Sequence, residues 1–212
     1  MKTVKREKNR GFTLIELIIV LAILGLTISA IYSFFFFAQS SLSRADRQSA
    51  LLQEMNLAVG RISRDIRSAS KPNGSTNSVV VLSTDGTLAA GQSMNIYNYD
   101  SSTDKYIRIC YRLLPTDKTV LQRGWVECSG AVPADTANPS YGDITAWENV
   151  LTGVAAKDGT GKDREIFADT SASPEDERRK IKVDLSINDV KNPLPQSVDI
   201  NITATSRNEV SP

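Results

Sequence analysis

From Phe12 to Ala38 the chain reads FTLIELIIVLAILGLTISAIYSFFFFA, an apolar run with a single acid in it. A bilayer is crossed by about 20 apolar residues in a helix, so this run is long enough to span. It is also longer than the apolar core of a secretory signal. Residues 1–11 carry Lys2, Lys5, Arg6, Lys8 and Arg10 against Glu7, a net of 5 − 1 = +4. Positive charge ahead of a span keeps that end cytoplasmic and exports the chain beyond the span. The sequence therefore predicts a single-pass inner-membrane protein with an exported head. Glu16 is the anomaly. An ionised carboxylate in hydrocarbon costs roughly 2.5 kcal/mol or more near a helix centre, and an unpaired one near the edge still asks for a partner.

The helical pattern continues past the span. No proline occurs before Pro72, and after Ser43 the residues Leu52, Met55, Val59, Ile62, Ile66 and Ala69 recur at steps of three and four. This predicts one apolar stripe, with Arg47, Gln53, Arg61, Arg64, Asp65 and Arg67 mostly off it. Pro72, Asn73 and Gly74 supply the stop. Phe12 to about Ala69 thus reads as one continuous helix.

Beyond residue 75 the period changes to two. Lys180–Ile187 and Ser197–Ala204 alternate and read as an antiparallel pair joined by a loop holding Pro193 and Pro195. Tyr106–Leu114 and Val120–Cys128 flank Pro115-Thr-Asp-Lys118 and read as a second hairpin. Ser78–Leu82 and Met94–Tyr99 are shorter strand candidates, while 129–145 and 156–179 read as loops. The fold class expected is α+β, a long N-terminal helix packed against an antiparallel β-sheet head. Its divisions are a leader at 1–11, a transmembrane stem at 12–38, an amphipathic continuation at 39–70 and a β-rich head at 71–212.

Composition narrows the function. The 212 residues contain no histidine, which removes the usual general base and the commonest transition-metal ligand. Two cysteines are too few for a tetrahedral zinc site. Neither an enzyme nor a cofactor or metal is expected. Removing the +4 of the leader from the total of +1 leaves +1 − 4 = −3, a poor match for a polyanion, so nucleic acid is not expected as a ligand. Cys110 and Cys128 lie on the two arms of the proposed hairpin in a compartment that permits disulfides, and a bridge is expected there if a bulge or offset brings them opposite. Asp158-Gly-Thr-Gly-Lys-Asp163 has the oxygens of a calcium loop but not its spacing, so a polar turn is expected. The mixed-charge stretch Pro174–Lys180 reads as a solvated loop, and the glycosylation-type triplets at Asn73 and Asn201 carry little weight.

Residues 10–16, Arg-Gly-Phe-Thr-Leu-Ile-Glu, combine a basic leader, a glycine, an apolar residue and an acid four positions later at the head of an apolar helix. This resembles the class III signal of prepilins, the family of type IV pilins and type II secretion pseudopilins. The resemblance implies cleavage by a prepilin peptidase after Gly11, N-methylation of the new terminus Phe12, and pairing of that terminus with Glu16 of a neighbouring subunit during assembly. The partners implied are the peptidase, the inner membrane, and other major and minor pilins or pseudopilins, with a cell-surface or periplasmic filament as destination. Residues 50–69, ending in Arg64-Asp-Ile-Arg67, look like PilW-type minor pilins and J-type minor pseudopilins. Major subunits commonly carry a proline near the position of Ser33. Its absence points to a minor subunit that initiates or caps a filament. The alternative is a tip-located adhesin or DNA-uptake module.

Overall fold

The structure, a computed structural model, describes residues 13–70, 77–82, 88–128, 143–172, 179–188 and 197–206. Helix α1 runs from Leu14 to Arg67 without interruption. The residues Pro72–Gly74 expected to stop it lie outside the described residues, as do the proline loop at 193–195 and most of 129–145 and 174–180. By contacts the chain divides into two compact units, Met1–Arg47 and Gln48–Pro212.

Between Leu14 and Ala38 α1 is apolar on every side apart from Glu16, and its side chains are exposed nearly throughout, Phe34–Phe37 at 59–73%. Three of its hydroxyls bond locally. Thr27 Oγ1 donates to the carbonyls of Ile23 at 3.0 Å and Leu24 at 2.8 Å, Ser33 Oγ to Ser29 O at 3.0 Å, and Ser40 Oγ to Phe37 O at 2.9 Å. Back-bonding of this kind lets a hydroxyl sit in lipid without an unsatisfied donor.

In the second unit a sheet of five strands, in the order β1-β2-β3-β4-β5, is antiparallel throughout. The strands are β1 (Val79–Val81), β2 (Ser93–Asp100), β3 (Lys105–Leu114), β4 (Asp117–Cys128) and β5 (Trp147–Thr152). A second antiparallel sheet, β6-β7-β8, comprises Phe167–Asp169, Lys180–Asn188 and Ser197–Thr205. The expected hairpin and the expected C-terminal pair are present as β3-β4 and β7-β8. β5 was not anticipated, and β6 lies in a stretch expected to be loop. Ile181, Val183, Leu185 and Ile187 of β7 join Met94, Ile96, Tyr111, Leu113 and Leu121 of the larger sheet in one core with α1.

The helix contributes Met55, Ala58, Val59, Ile62, Asp65 and Ile66 to that core, and Ala69 just beyond it is buried too. Two ridges are buried side by side here, 55-58-62-65 and 55-59-62-66. Only the second was read from the sequence. Leu52, expected on the stripe, is 37% exposed, and Leu51 packs against the core in its place. An acid, Asp65, occupies the first ridge, although a polar residue off the stripe was expected there.

Polar contacts show the direction in which α1 crosses the sheet. Arg61 meets Glu148 on β5, Asp65 meets Arg123 on β4 and Tyr111 on β3, and Ser68 and Ser70 meet Asn98 and the Tyr97 carbonyl on β2. Three strand spacings of about 4.8 Å match the roughly 14 Å rise from Arg61 to Ser70. The helix therefore runs across the strands rather than along them. Ile62, fully buried at the middle of this crossing, should cost about 3 kcal/mol on truncation to alanine. Leu52→Ala should cost less than that, because its side chain is already more than a third exposed. Denaturant melts of the detergent-solubilised chain followed by tryptophan fluorescence compare the two.

Candidate functional site and its attachment to the head

The site predicted from the sequence is the N-terminal end of the stem. Gly11 and Phe12 lie outside the described residues. The described part begins at Thr13, whose carbonyl accepts the amides of Glu16 at 3.1 Å and Leu17 at 3.2 Å. Thr13 Oγ1 also accepts the Glu16 amide, at 3.3 Å. Thr13 is therefore the N-cap of α1, and Glu16 stands at its third helical position, as in a capping box. A carboxylate there also faces the positive end of the helix dipole. The dipole offsets part of the cost of an acid in an apolar helix. Around Glu16 the side chains of Leu14, Ile15, Leu17 and Ile18 are all exposed. No described residue hydrogen-bonds its carboxylate.

The second arrangement is one that sequence reasoning missed. Asp65 Oδ2 accepts the Tyr111 hydroxyl at 2.7 Å and the Arg123 Nε–H at 2.9 Å. Tyr111 and Arg123 are directly opposed in the β3-β4 register, so one rung presents both donors to the helix. Burial, and next the Asp65 charge, push the Tyr111 hydroxyl far above its ordinary range, which keeps it protonated as a donor. One turn earlier Arg61 and Glu148 form a two-pronged pair at 2.8 Å. The Arg61 hydrogen bond holds the Glu148 carboxyl below its usual range. This pair is largely solvated, so it contributes less than about 1 kcal/mol. Asp65 is buried, and removing it strands one buried donor, Tyr111, and one partly buried donor, Arg123. The only sequence signal for it was its place three residues after Ile62 on a buried ridge.

The bridge expected between Cys110 and Cys128 is not shown in the structure. They are not bonded to each other, and both are thiols. The β3-β4 register pairs Cys110 with Gly124 and Cys128 with Tyr106. Four rungs separate them, about 14 Å along the strands, whereas a disulfide needs Cα atoms roughly 4.4–6.8 Å apart. A bulge at Leu113/Leu114 does shift the register, but stops short of bringing the cysteines opposite. On the same face, a Cβ at Gly124 would lie 2.5 Å from Ile144 and 3.0 Å from the Trp147 ring. Burial pushes the Cys128 thiol up in pKa, which lowers its reactivity.

The turn at Asp158 is a polar turn. Its Oδ1 accepts Thr160 N at 2.9 Å, Thr160 Oγ1 at 2.6 Å and Lys162 N at 3.0 Å. That oxygen is committed to the turn. No group of three or more metal-ligating side chains occurs among the described residues.

Two outcomes are expected. Asp65→Ala should cost about 3 kcal/mol in a denaturant melt, and Arg61→Ala under about 1 kcal/mol. Denatured, unreduced protein from its normal export route should titrate two thiols per chain; a value of zero would contradict the register.

Among known families, the N-terminal geometry has a counterpart: residues 6–32 match the family model described as Prokaryotic N-terminal methylation motif. That match covers Gly11, Phe12, the Thr13 cap, Glu16 and the first part of the exposed apolar helix. Searches of the curated proteins and of the solved structures find no match. The motif and the long apolar N-terminal helix support a type IV pilin-like or pseudopilin-like subunit and are consistent with a membrane anchor. The same motif implies processing by prepilin peptidase and assembly with other pilins.

Proposed function

We propose that this chain is a minor pilin or pseudopilin, a structural subunit that initiates or caps a type IV pilus or a type II secretion pseudopilus. The observation that carries the reading is an apolar helix, none of whose most apolar window is covered by its own chain, headed by Glu16 inside the methylation-motif match. In this account the leader 1–11 is removed after Gly11 and Phe12 is methylated. Residues 12–38 wait in the inner membrane, 39–70 continue the stem, and 71–212 form the exported head. On assembly Glu16 receives the new terminal cation of a neighbour, an attraction that strengthens as water is excluded. No catalytic role is assigned to the chain.

The minor role is favoured by the stem. Ser33 stands within unbroken helix where major subunits commonly have proline. Four exposed rings, Phe34–Phe37, come directly after it. Identical bulky rings are difficult to interdigitate at every position of a fibre and are accommodated once at an end. The likeness of residues 50–69 to PilW-type minor pilins and J-type minor pseudopilins points the same way.

The subunit is expected in trace amounts in sheared filaments, at one tip by immunogold labelling, with few or no filaments in a deletion strain. Uniform labelling at the amount of the main subunit would show a major pilin instead. Glu16→Ala should insert in the membrane normally and enter filaments or their initiating complex poorly. Unchanged incorporation would remove the charge-pair account.

A further inference from the structure

The side of α1 turned away from the sheet carries residues that the head does not use. Leu57, Gly60, Arg64 and Arg67 recur at steps of three and four, so they share one side of the helix. All four are exposed, Leu57 at 69%. Gly60 is the telling one. Glycine inside a helix lowers stability relative to alanine. Yet a Cβ built there meets nothing within 4 Å. No described contact of the head requires the side chain to be missing. A hollow of about 370 Å³ opens at this point, lined by Gly60, Arg64, Arg67 and Ser68. A missing side chain in a helix surface lets a second helix approach closely. Neither Arg64 nor Arg67 forms an ion pair among the described residues. Cations in a last turn do complement the helix dipole. The dipole, however, explains neither a bare glycine nor an exposed leucine on the same side.

We infer that the Leu57-Gly60-Arg64-Arg67 face docks a helix of a different pilin-class subunit, one that places an acidic residue opposite the two guanidinium groups. The inference rests on the assembly reading above and adds what selects the neighbour. The three-four spacing and the hollow at Gly60 fit a helix rather than a strand, with Leu57 as the apolar contact. The charge fits an acidic partner. Stems anchored in one bilayer lie parallel, so a second copy offering the same face would set arginines against arginines. Such like-charge juxtaposition disfavours the wrong partner. The face thus favours a mixed contact over self-association.

The test uses the full chain in cells that co-express the pilin-class chains of its own locus. A photo-crosslinking residue is placed at Leu57, with Thr203 on β8 as an exposed control, and adducts are mapped by mass spectrometry. The expected result is an adduct from position 57, and not from 203, to the helix of another pilin-class chain. The double variant Arg64→Glu/Arg67→Glu should lower its yield roughly tenfold, and changing the facing acid of the partner to lysine should restore it. Gly60→Ala should weaken the adduct several-fold while the melting temperature stays level or rises, an outcome that a purely structural glycine would not give. Adducts only to lipid or to a second copy, no adduct, or a yield indifferent to charge reversal would each overturn the inference. Loss of incorporation in Glu16→Ala together with normal incorporation of the arginine double variant would refute the docking face and leave the pilin reading intact. A wild-type chain that never enters a filament or initiating complex would refute both.

Discussion

The apolar surface of the stem cannot remain in water. Seventeen large hydrophobic side chains between Leu14 and Phe37 are exposed. At roughly 1.5–3 kcal/mol for each such side chain fully buried, leaving them wet would cost tens of kcal/mol. A typical domain has a net stability of about 5–15 kcal/mol. In the proposed function lipid supplies the cover first, and a bundle of similar stems supplies it later. Every other feature of the N-terminal half is compatible with that exchange of environments. Thr27, Ser33 and Ser40 bond back to their own helix, and Glu16 sits at the capped end.

The second half of α1 meets the opposite demand. It must leave one side for the sheet while the helix remains unbroken. Its buried ridges cross the strands, and the charged seam lies on the crossing: Arg61 to β5, Asp65 to β4 and β3, then Ser68 and Ser70 to β2. Apolar burial holds the helix on the sheet non-directionally, whereas Asp65 fixes its position along the sheet, because only one rung offers both Tyr111 and Arg123. Buried polar groups of this kind are costly to misplace. That makes the attachment of head to helix specific as well as tight.

The long helix and both main hairpins were legible in the sequence because each depends on a local period, 3.6 or 2, sustained over many residues. The features that were not legible depend on partners distant in sequence. Asp65 looks like a surface residue until β3 and β4 supply its donors, and Leu51 replaces Leu52 only because of where the sheet lies. β5 alternates poorly because it lies at an edge and its pairing with β4 shifts at Leu121/Gln122. β6 has only three residues and no pattern to read. The expected cysteine bridge is not shown in the structure for a reason of register: the two strands were identified, but a single bulge decides which residues face each other. At the N-terminus, Glu16 was found as a site residue because an acid in an apolar run is costly, while the Thr13 cap that helps hold it in place was not identified.

The central claim is that the apolar helix becomes a filament stem by losing its basic leader, which distinguishes it from a permanent signal anchor. The direct measurement is the N-terminus of the mature chain, read by mass spectrometry from membranes of cells with active prepilin peptidase. The account predicts a terminus at Phe12 carrying one methyl group, and accumulation of the uncut chain when Gly11 is replaced by a bulkier residue. An intact Met1 terminus in those same cells would contradict it.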